Sequence, residues 1–550
     1  MSALEVRGLR IVMDGRVIVD GVELSVAPGE CLAIVGESGA GKSMTAHALL
    51  GLAPDRATVT ADVLSVDGVD VSTADERAWR GVRGSRIALV SQDALVSLDP
   101  LRRIGREIEE PLEIHTGDTR ARRRERALAA LESVSMPDAS RRIEAYSHEL
   151  SGGLRQRALI ASALVTNPRI VVADEPTTAL DATVQLRILQ LLREIVDAGT
   201  ALVVISHDLT AVAHVADRIA VMRAGKIVEE GATAEVLAGP GHPHTRELVA
   251  AWRIRTPPRS EPSGQIVLAA QGLSKSFAGS GTVVHDVSLA LRRGSTLGIV
   301  GESGSGKTTL ARLLMGIESP DAGEVTLEGA MWNPATEARR RPSRSRIQLV
   351  HQNPRAAFDP RWSIGRSLSE ALRAGGVARA ASRHRVAALL EQVELDPGIA
   401  LRRPGEVSGG QRQRAAIARA LAVGPDILIL DEPVSALDAS VQVTVLALLN
   451  RLQRETGIAM ILISHDLRVV AAVADEIMVM RDGRVVEAGS TAEVFREPRH
   501  PFTRALLRAG KMDGADRGEA PGGVRGYNRL SSADPAITGE LPEEQGASPQ

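Results

Sequence analysis

The chain is 550 residues long and 44% hydrophobic, with 66 basic and 68 acidic side chains and a formal net charge of -2. That length exceeds what one hydrophobic core sustains, so two or more domains are expected, and the near-neutral balance gives none of the basic excess that duplex nucleic acid favours. Cys31 is the only cysteine, which excludes an intramolecular disulfide and an iron–sulfur cluster held by several thiolates, and it reads as a small apolar residue on a buried strand in a reducing compartment.

The N-terminal MSALEVRGLR lacks the apolar segment of a secretory signal, and no stretch approaches the ~20 consecutive apolar residues of a membrane-crossing helix, so a cytosolic protein is expected. The first strong element is CLAIVG at 31–36, apolar without alternation, which predicts a strand buried on both faces. It leads into GESGAGKS at 36–43 and the helix-like SMTAHALLG. A GxxxxGK[ST] run between a buried strand and a helix is the context that a phosphate-binding loop requires. Gly36, Gly39 and Gly41, with Glu37, Ser38 and Ala40 between them, let backbone N–H groups close round phosphate oxygens, and the helix N-terminus adds partial positive charge. Lys42 would reach the β and γ phosphates, and Ser43 would offer a hydroxyl to Mg²⁺. Lysine stands only at 42, 226, 275, 307 and 511 in a chain whose bases are otherwise arginine, which makes a lysine inside a glycine loop informative.

Farther along, IVVADE at 170–175 ends an apolar strand in two carboxylates: Asp174 is placed to hold the hydrated metal, and Glu175 to orient or deprotonate the attacking water. ALVVIS predicts another buried strand, and HPHTREL follows at 242–248. The Pro-, Ser- and Gly-rich RTPPRSEPSG at 255–264 reads as an exposed linker. Beyond it the same series recurs at an offset of roughly 257 to 265 residues. GESGSGKT at 301–308 supplies Gly301, Glu302, Ser303, Gly304, Ser305, Gly306, Lys307 and Thr308, ILILDE at 427–432 supplies Asp431 and Glu432, and HPFTRAL stands at 500–506. The repeat defines two copies, 1–254 and 265–510, each an α/β domain in which buried parallel strands alternate with helices. Residues 511–550, poor in large apolar side chains, read as a disordered tail.

Further segments match between the copies: SQDALVSLDP at 91–100 with HQNPRAAFDP at 351–360, SGGLRQR at 151–157 with SGGQRQR at 408–414, VVADEPTTALD at 171–181 with LILDEPVSALD at 428–438, and ISHDL at 205–209 and 463–467. Over nearly the whole chain these motifs resemble the ATP-binding-cassette (ABC) ATPases, whose defining signature the two SGG segments match. The resemblance implies two tandem P-loop NTPase domains of ABC type, each with a RecA-like core and a helical subdomain, that bind ATP and Mg²⁺ and hydrolyse ATP. It assigns glutamine loops to Gln92 and Gln352, which join Ser43 and Asp174, or Thr308 and Asp431, at the metal. It also assigns D-loops to Ala179-Leu180-Asp181 and Ala436-Leu437-Asp438, and switch histidines to His207 and His465, which act with Glu175 and Glu432.

The resemblance further implies that the domains stack head to tail as a pseudo-dimer. One ATP would then lie between the Lys42, Ser43, Gln92, Asp174, Glu175 and His207 set and the signature Ser408-Gly409-Gly410. The other would lie between the Lys307, Thr308, Gln352, Asp431, Glu432 and His465 set and Ser151-Gly152-Gly153. Leu154 replaces the glutamine that commonly closes the signature and Val407 the leucine that opens it; both lie outside Ser-Gly-Gly, so both sites are expected to be competent. The family also stacks adenine on an aromatic side chain ahead of the loop. Phe277 stands there in the second copy, and alignment of GLSKSF with GLRIVM puts Met13 in the first.

The stretches 91–112 and 351–372 resemble the glutamine-loop region of peptide and nickel importer ATPases. So do 221–248 and 479–506, with their HP-aromatic-T ending, although His244 takes the aromatic place in the first copy. This resemblance implies an importer ATPase at the cytoplasmic face of a bacterial inner membrane, working with two permease subunits and, through them, a substrate-binding protein. Di- or oligopeptides are the expected cargo, with nickel, glutathione-like compounds or opines as alternatives, and no nucleic acid partner is expected. The rival reading is a soluble tandem ABC ATPase acting on ribosomes or in DNA repair. Ribosome-acting members resemble one another in a long charged insert between the domains and repair members in zinc-binding cysteines, and this sequence has neither.

Overall fold

The computed structural model describes residues 2–92, 97–177, 182–252, 264–277, 281–302, 304–435, 437 and 439–509. Outside these lie most of the expected linker, the expected tail, Ser303, and the D-loop residues Ala179, Leu180, Asp181, Ala436 and Asp438.

The unalternating apolar runs become the centre of one six-stranded sheet in each half. In the first, the order is Lys226–Ala232, Arg218–Arg223, Cys31–Val35, Ala201–Ile205, Ile170–Asp174, Ile87–Val90. All neighbours are parallel except the hairpin of the first two. Every residue of Cys31–Val35, Ile170–Asp174 and Ala201–Ile205 is buried, as strands covered on both faces must be. The second half repeats the arrangement with Thr296–Gly301, Ala459–Ser464, Ile427–Asp431 and Ile347–Val350 in adjacent places. Parallel strands end at the same edge of a sheet, so the glycine-rich loop 301–308, His465, the Asp431-Glu432 pair and Gln352, which stand at the ends of those four strands, converge.

A second, antiparallel sheet covers each core. Leu4–Met13 and Arg16–Val26 pair across a tight turn in the first half, and Ile266–Phe277 pairs with Gly281–Arg292 in the second. Arg16–Val26 alternates buried and exposed residues towards its end, the pattern of a sheet with one face on the core and one towards solvent. The helical layer contains Ile104–His115, Arg120–Ser133 and Gly152–Leu164 in the first half, and Ile364–Ala374, Arg379–Gln392 and Gly409–Leu421 in the second. Each buried apolar cluster draws its residues from one half.

The halves meet reciprocally. Helix Pro243–Trp252 of the first packs on Ala439–Thr456 of the second, and Pro501–Ala509 of the second packs on Ala182–Asp197 of the first.

Candidate functional site

Each phosphate loop is shaped by what its glycines exclude. A Cβ on Gly36 would stand 2.1 Å from the carbonyl oxygen of Met222, and one on Gly301 would stand 2.2 Å from that of Met480, so neither place admits a side chain. Gly41 and Gly306, with φ of 103° and 96°, turn the chain into the helices Lys42–Leu49 and Lys307–Leu314. The loop is tied to the neighbouring strand turn by bonds from Gly225 N to Ala40 O and from Gly483 N to Ser305 O. Ser38, Gly39 and Gly304 stand exposed at the loop tips.

The two lysines are buried, and their ammonium groups donate back into the loop. Lys42 Nζ lies 2.8 Å from Gly36 O and from Glu37 O; Lys307 Nζ lies 2.7 Å from Gly301 O and from Glu302 O. The charge is therefore held within the glycine-rich loop.

At the edge of the sheet the remaining side chains close into one cluster per half. Ser43 Oγ donates to Asp174 Oδ1 at 3.3 Å, and Thr308 bonds Asp431 in the same way. Gln92 Nε2 donates to Glu175 Oε2 at 2.7 Å, and His207 Nδ1 lies 3.1 Å from Glu175 Oε1. The second half repeats this with Gln352 to Glu432 at 2.8 Å and His465 to Glu432 at 3.1 Å. Burial pushes the carboxyls of Asp174 and Asp431 above the usual range, and the adjacent glutamate adds to the shift. Burial works against the charge of Glu432 too, but the bond from His465 overcomes it and holds the carboxyl low; the same bond holds the imidazole high.

Sequence reasoning did not foresee the backbone at these glutamates. Glu175 and Glu432 have φ of 48° and 49°, the left-handed region, which costs a non-glycine residue about 1–3 kcal/mol. Their amides donate to Ile205 O and Ile463 O, so the chain leaves the strand sharply and turns both carboxylates towards the histidine and glutamine.

The signature segments begin helices Gly152–Leu164 and Gly409–Leu421, and among the described residues Ser151 and Ser408 make no hydrogen bond to these clusters. A Cβ on Gly153 or Gly410 would strike Val184 or Val441 at 2.7 or 2.3 Å, so the second signature glycine lets each helix seat on Ala182–Asp197 or Ala439–Thr456. The two signatures differ. Gln411 accepts from Ser408 N at 3.1 Å while Ser408 Oγ accepts from Gln411 N at 3.2 Å, a reciprocal capping box. Leu154 offers no such acceptor, and Ser151 makes no side-chain cap. The S-x-x-Q pattern was visible in the sequence and could have foretold it.

The strand register supports pairing Phe277 with Met13. Leu4 stands opposite Val66 as Leu268 stands opposite Leu327, and Met13 and Phe277 close their hairpins against Arg16 and Gly281. The hairpins lie over the loops: the Ile18 and Val283 carbonyls abut Gly41 and Gly306. The HP-aromatic-T endings are held by a carboxylate in each half, Glu229 accepting from Gly241 N and His242 N, and Glu487 from Arg499 N and His500 N.

Residues 19–178 and 284–435 match the ABC transporter family, and residues 486–524 match the oligopeptide/dipeptide transporter C-terminal region. The chain belongs to the ABC transporter ATPases. It is 44% identical to the peptidoglycan transport ATP-binding protein YejF of Agrobacterium fabrum, over 90% of this chain and 93% of that one. It is 39% identical to the glutathione import ATP-binding protein GsiA of Salmonella paratyphi A, over 92% of this chain and 89% of the relative. Among solved structures, the RNase-L inhibitor shares the fold at a TM-score of 0.60 and 21% identity, over 89% of this chain and 90% of that one. As an ABC transporter ATPase the chain binds and hydrolyses ATP, and its two halves are the tandem ABC domains of the family. No helix of the described residues is long and apolar enough to cross a membrane.

Proposed function

We propose that this ATPase energises an importer of di- or oligopeptides from the cytoplasmic face of the inner membrane, seated beneath two permease subunits that receive cargo from a substrate-binding protein. The observation that carries this reading is the match of residues 486–524 to the oligopeptide/dipeptide transporter region, combined with two intact clusters. Glutathione, the cargo named for GsiA, is itself a small peptide, so the class holds across that relative.

In this reading each ATP is held by one half's loop and the other half's signature, so the two halves work as a pseudo-dimer. The reciprocal packing of Pro243–Trp252 and Pro501–Ala509 supports it. This reading keeps the domain bounds at 1–254 and 265–510, joined by a linker at 255–264. Asp174 with Ser43 and Gln92, and Asp431 with Thr308 and Gln352, fit Mg²⁺, because a buried carboxylate beside a hydroxyl is an all-oxygen donor set and the amide nitrogen of each glutamine is already committed to glutamate. The ion would neutralise phosphate charge.

Glu175 and Glu432 would take the proton of the attacking water, and His207 and His465, with Nδ1 on the glutamate, would present Nε2 to the γ-phosphate. The amides of Gly36–Gly41 and Gly301–Gly306, together with Lys42 and Lys307, would hold the phosphates. E175Q/E432Q should leave ATP bound and slow turnover by about 10² or more, the scale expected when a general base is lost. Hydrolysis at the parental rate would sink the assignment of the glutamates. The transport reading is tested separately, by purifying the tagged chain from detergent-solubilised membranes and identifying the integral membrane proteins that accompany it. Ribosomal proteins in their place would favour the rival.

A further inference from the structure

The two switch segments are duplicates, yet they differ at one position where they meet. His207-Asp208-Leu209-Thr210 in the first half corresponds to His465-Asp466-Leu467-Arg468 in the second. Asp208 and Asp466 cap their helices in the same way, accepting from the backbone of Thr210 and Ala211 and from that of Arg468. The first half shows that this cap needs no arginine.

The Arg468 guanidinium does something the cap does not require. It holds its own Asp466 through Nη2 at 2.8 Å and Nε at 3.1 Å, then reaches into the other half, where Nη1 donates to Thr210 Oγ1 and lies 4.0 Å from Asp208 Oδ1. Side-chain exposure is 20% for Arg468 and 18% for Asp208, so water screens this contact less than it would a surface pair. Burial works against the charge on Arg468, but the carboxylates of Asp466 and Asp208 overcome it and hold the guanidinium above its usual range. A planar, always-charged fork suits this place because it can bind one aspartate with two nitrogens and still present a donor to the helix Leu209–Val215 of the other half.

The divergence of the pair is itself complementary. Two arginines would bring like charges together here, and two threonines would leave Asp208 and Asp466 without the guanidinium that lies by both. One long donor opposite one small acceptor fills the space and neutralises it. Asp208 and Asp466 each follow directly on a histidine bonded to the glutamate of its cluster.

We propose that Arg468 is a positioning residue that couples the two hydrolytic clusters, tying the segment that carries His465 to the segment that carries His207. A shift of one histidine is then passed through Asp466, Arg468 and Thr210 to the other. The inference rests on reading both histidines as members of the hydrolytic clusters.

The test is the ATP-concentration dependence of hydrolysis by the full chain. The parent should show a Hill coefficient approaching about 2, the number of sites, and R468T should bring it towards about 1. The reciprocal swap T210R/R468T, which moves the guanidinium to the other half, should restore it. A loss of packing alone would not be rescued by the swap. Should R468T melt well below the parent, R468M, which keeps most of the side-chain volume, reads the same quantity. An unchanged coefficient in R468T or R468M, or a swap that melts like the parent and stays near 1, overturns the proposal. Undiminished hydrolysis by E175Q/E432Q would instead overturn the reading of the clusters on which it rests.

Discussion

Replacing Phe277 by Met should weaken ATP binding about fivefold at the Lys307 loop and leave the Lys42 loop unaffected. Phe277 stands at the turn of the hairpin that lies over Gly306, and it is 37% exposed. Lys275, pinned by Asp321 at 2.9 Å, places its ammonium 5.5 Å from the ring centroid, so a base would stack on the opposite face. Stacking a base on an aromatic ring is worth ~1–3 kcal/mol, and the polarizable thioether of a methionine recovers part of it. A net difference of about 1 kcal/mol is about fivefold in affinity. The first half carries Met13 at the same register, and no Phe, Tyr or Trp precedes Trp79, so the Lys42 loop should already be the weaker one. Calorimetric titration of K42A and K307A isolates each loop in turn. F277M in the K42A background should raise Kd about fivefold, and M13F in the K307A background should lower it by a similar factor. Equal affinities in K42A and K307A, or no change from F277M, would refute the stacking argument.

Two further outcomes follow from the geometry. His244 is 1% exposed, and its Nε2 has no hydrogen-bond partner among the described residues, whereas Phe502 fills the matching place with Arg481 5.1 Å from its ring. Removing a buried unsatisfied polar atom is worth about 1–3 kcal/mol, so H244F should raise the urea midpoint, and a lower midpoint would count against the repeat alignment there. The bond between His465 and Glu432 holds the imidazole above its usual 6.5 and the carboxyl below its usual 4.5. A histidine raised on folding contributes stability that is fully present below 6.5 and lost as pH rises through the folded value. The stability gap between the parent and H465A in urea melts should therefore be wider at about pH 6 than at about pH 9; a gap that widens with pH would exclude a charged pair.

The parts of the site that were legible in the sequence are those carried by short contiguous runs. A strand, a glycine loop and a helix follow one another in the chain, so Gly36 to Ser43 announce their own geometry. The convergence of Gln92, Asp174, Glu175 and His207 was legible one step further on, because four parallel strands must end at one edge. What stayed hidden depends on tertiary pairing or backbone detail. The left-handed φ of Glu175 has no residue-type signal, since glutamate gives no hint of it. Arg468 looked like one more arginine in an arginine-rich chain, and only the meeting of the halves sets it against Thr210. The HP-aromatic-T ending was recognised as a marker, but its physical reason, a carboxylate that gathers the backbone amides, needed Glu229 and Glu487 to be placed.

Four divergences between the copies, Met13 against Phe277, Leu154 against Gln411, Thr210 against Arg468 and His244 against Phe502, fall outside the Ser/Thr–Asp–Glu–Gln–His clusters, whose distances agree between the halves to about 0.1 Å where both are given. Fusion explains why such differences are tolerable. In a symmetric pair of identical chains every substitution occurs twice, and an arginine at a two-fold contact must face itself. In a tandem chain each position occurs once, so an arginine can face a threonine, one signature can lose its capping glutamine, and one hairpin can end in methionine where the other ends in phenylalanine. The geometry of the clusters at the two sheets is the same. Any inequality between the sites must then enter through how nucleotide is gripped or how the halves are tied together, and those are the places where F277M and R468T act.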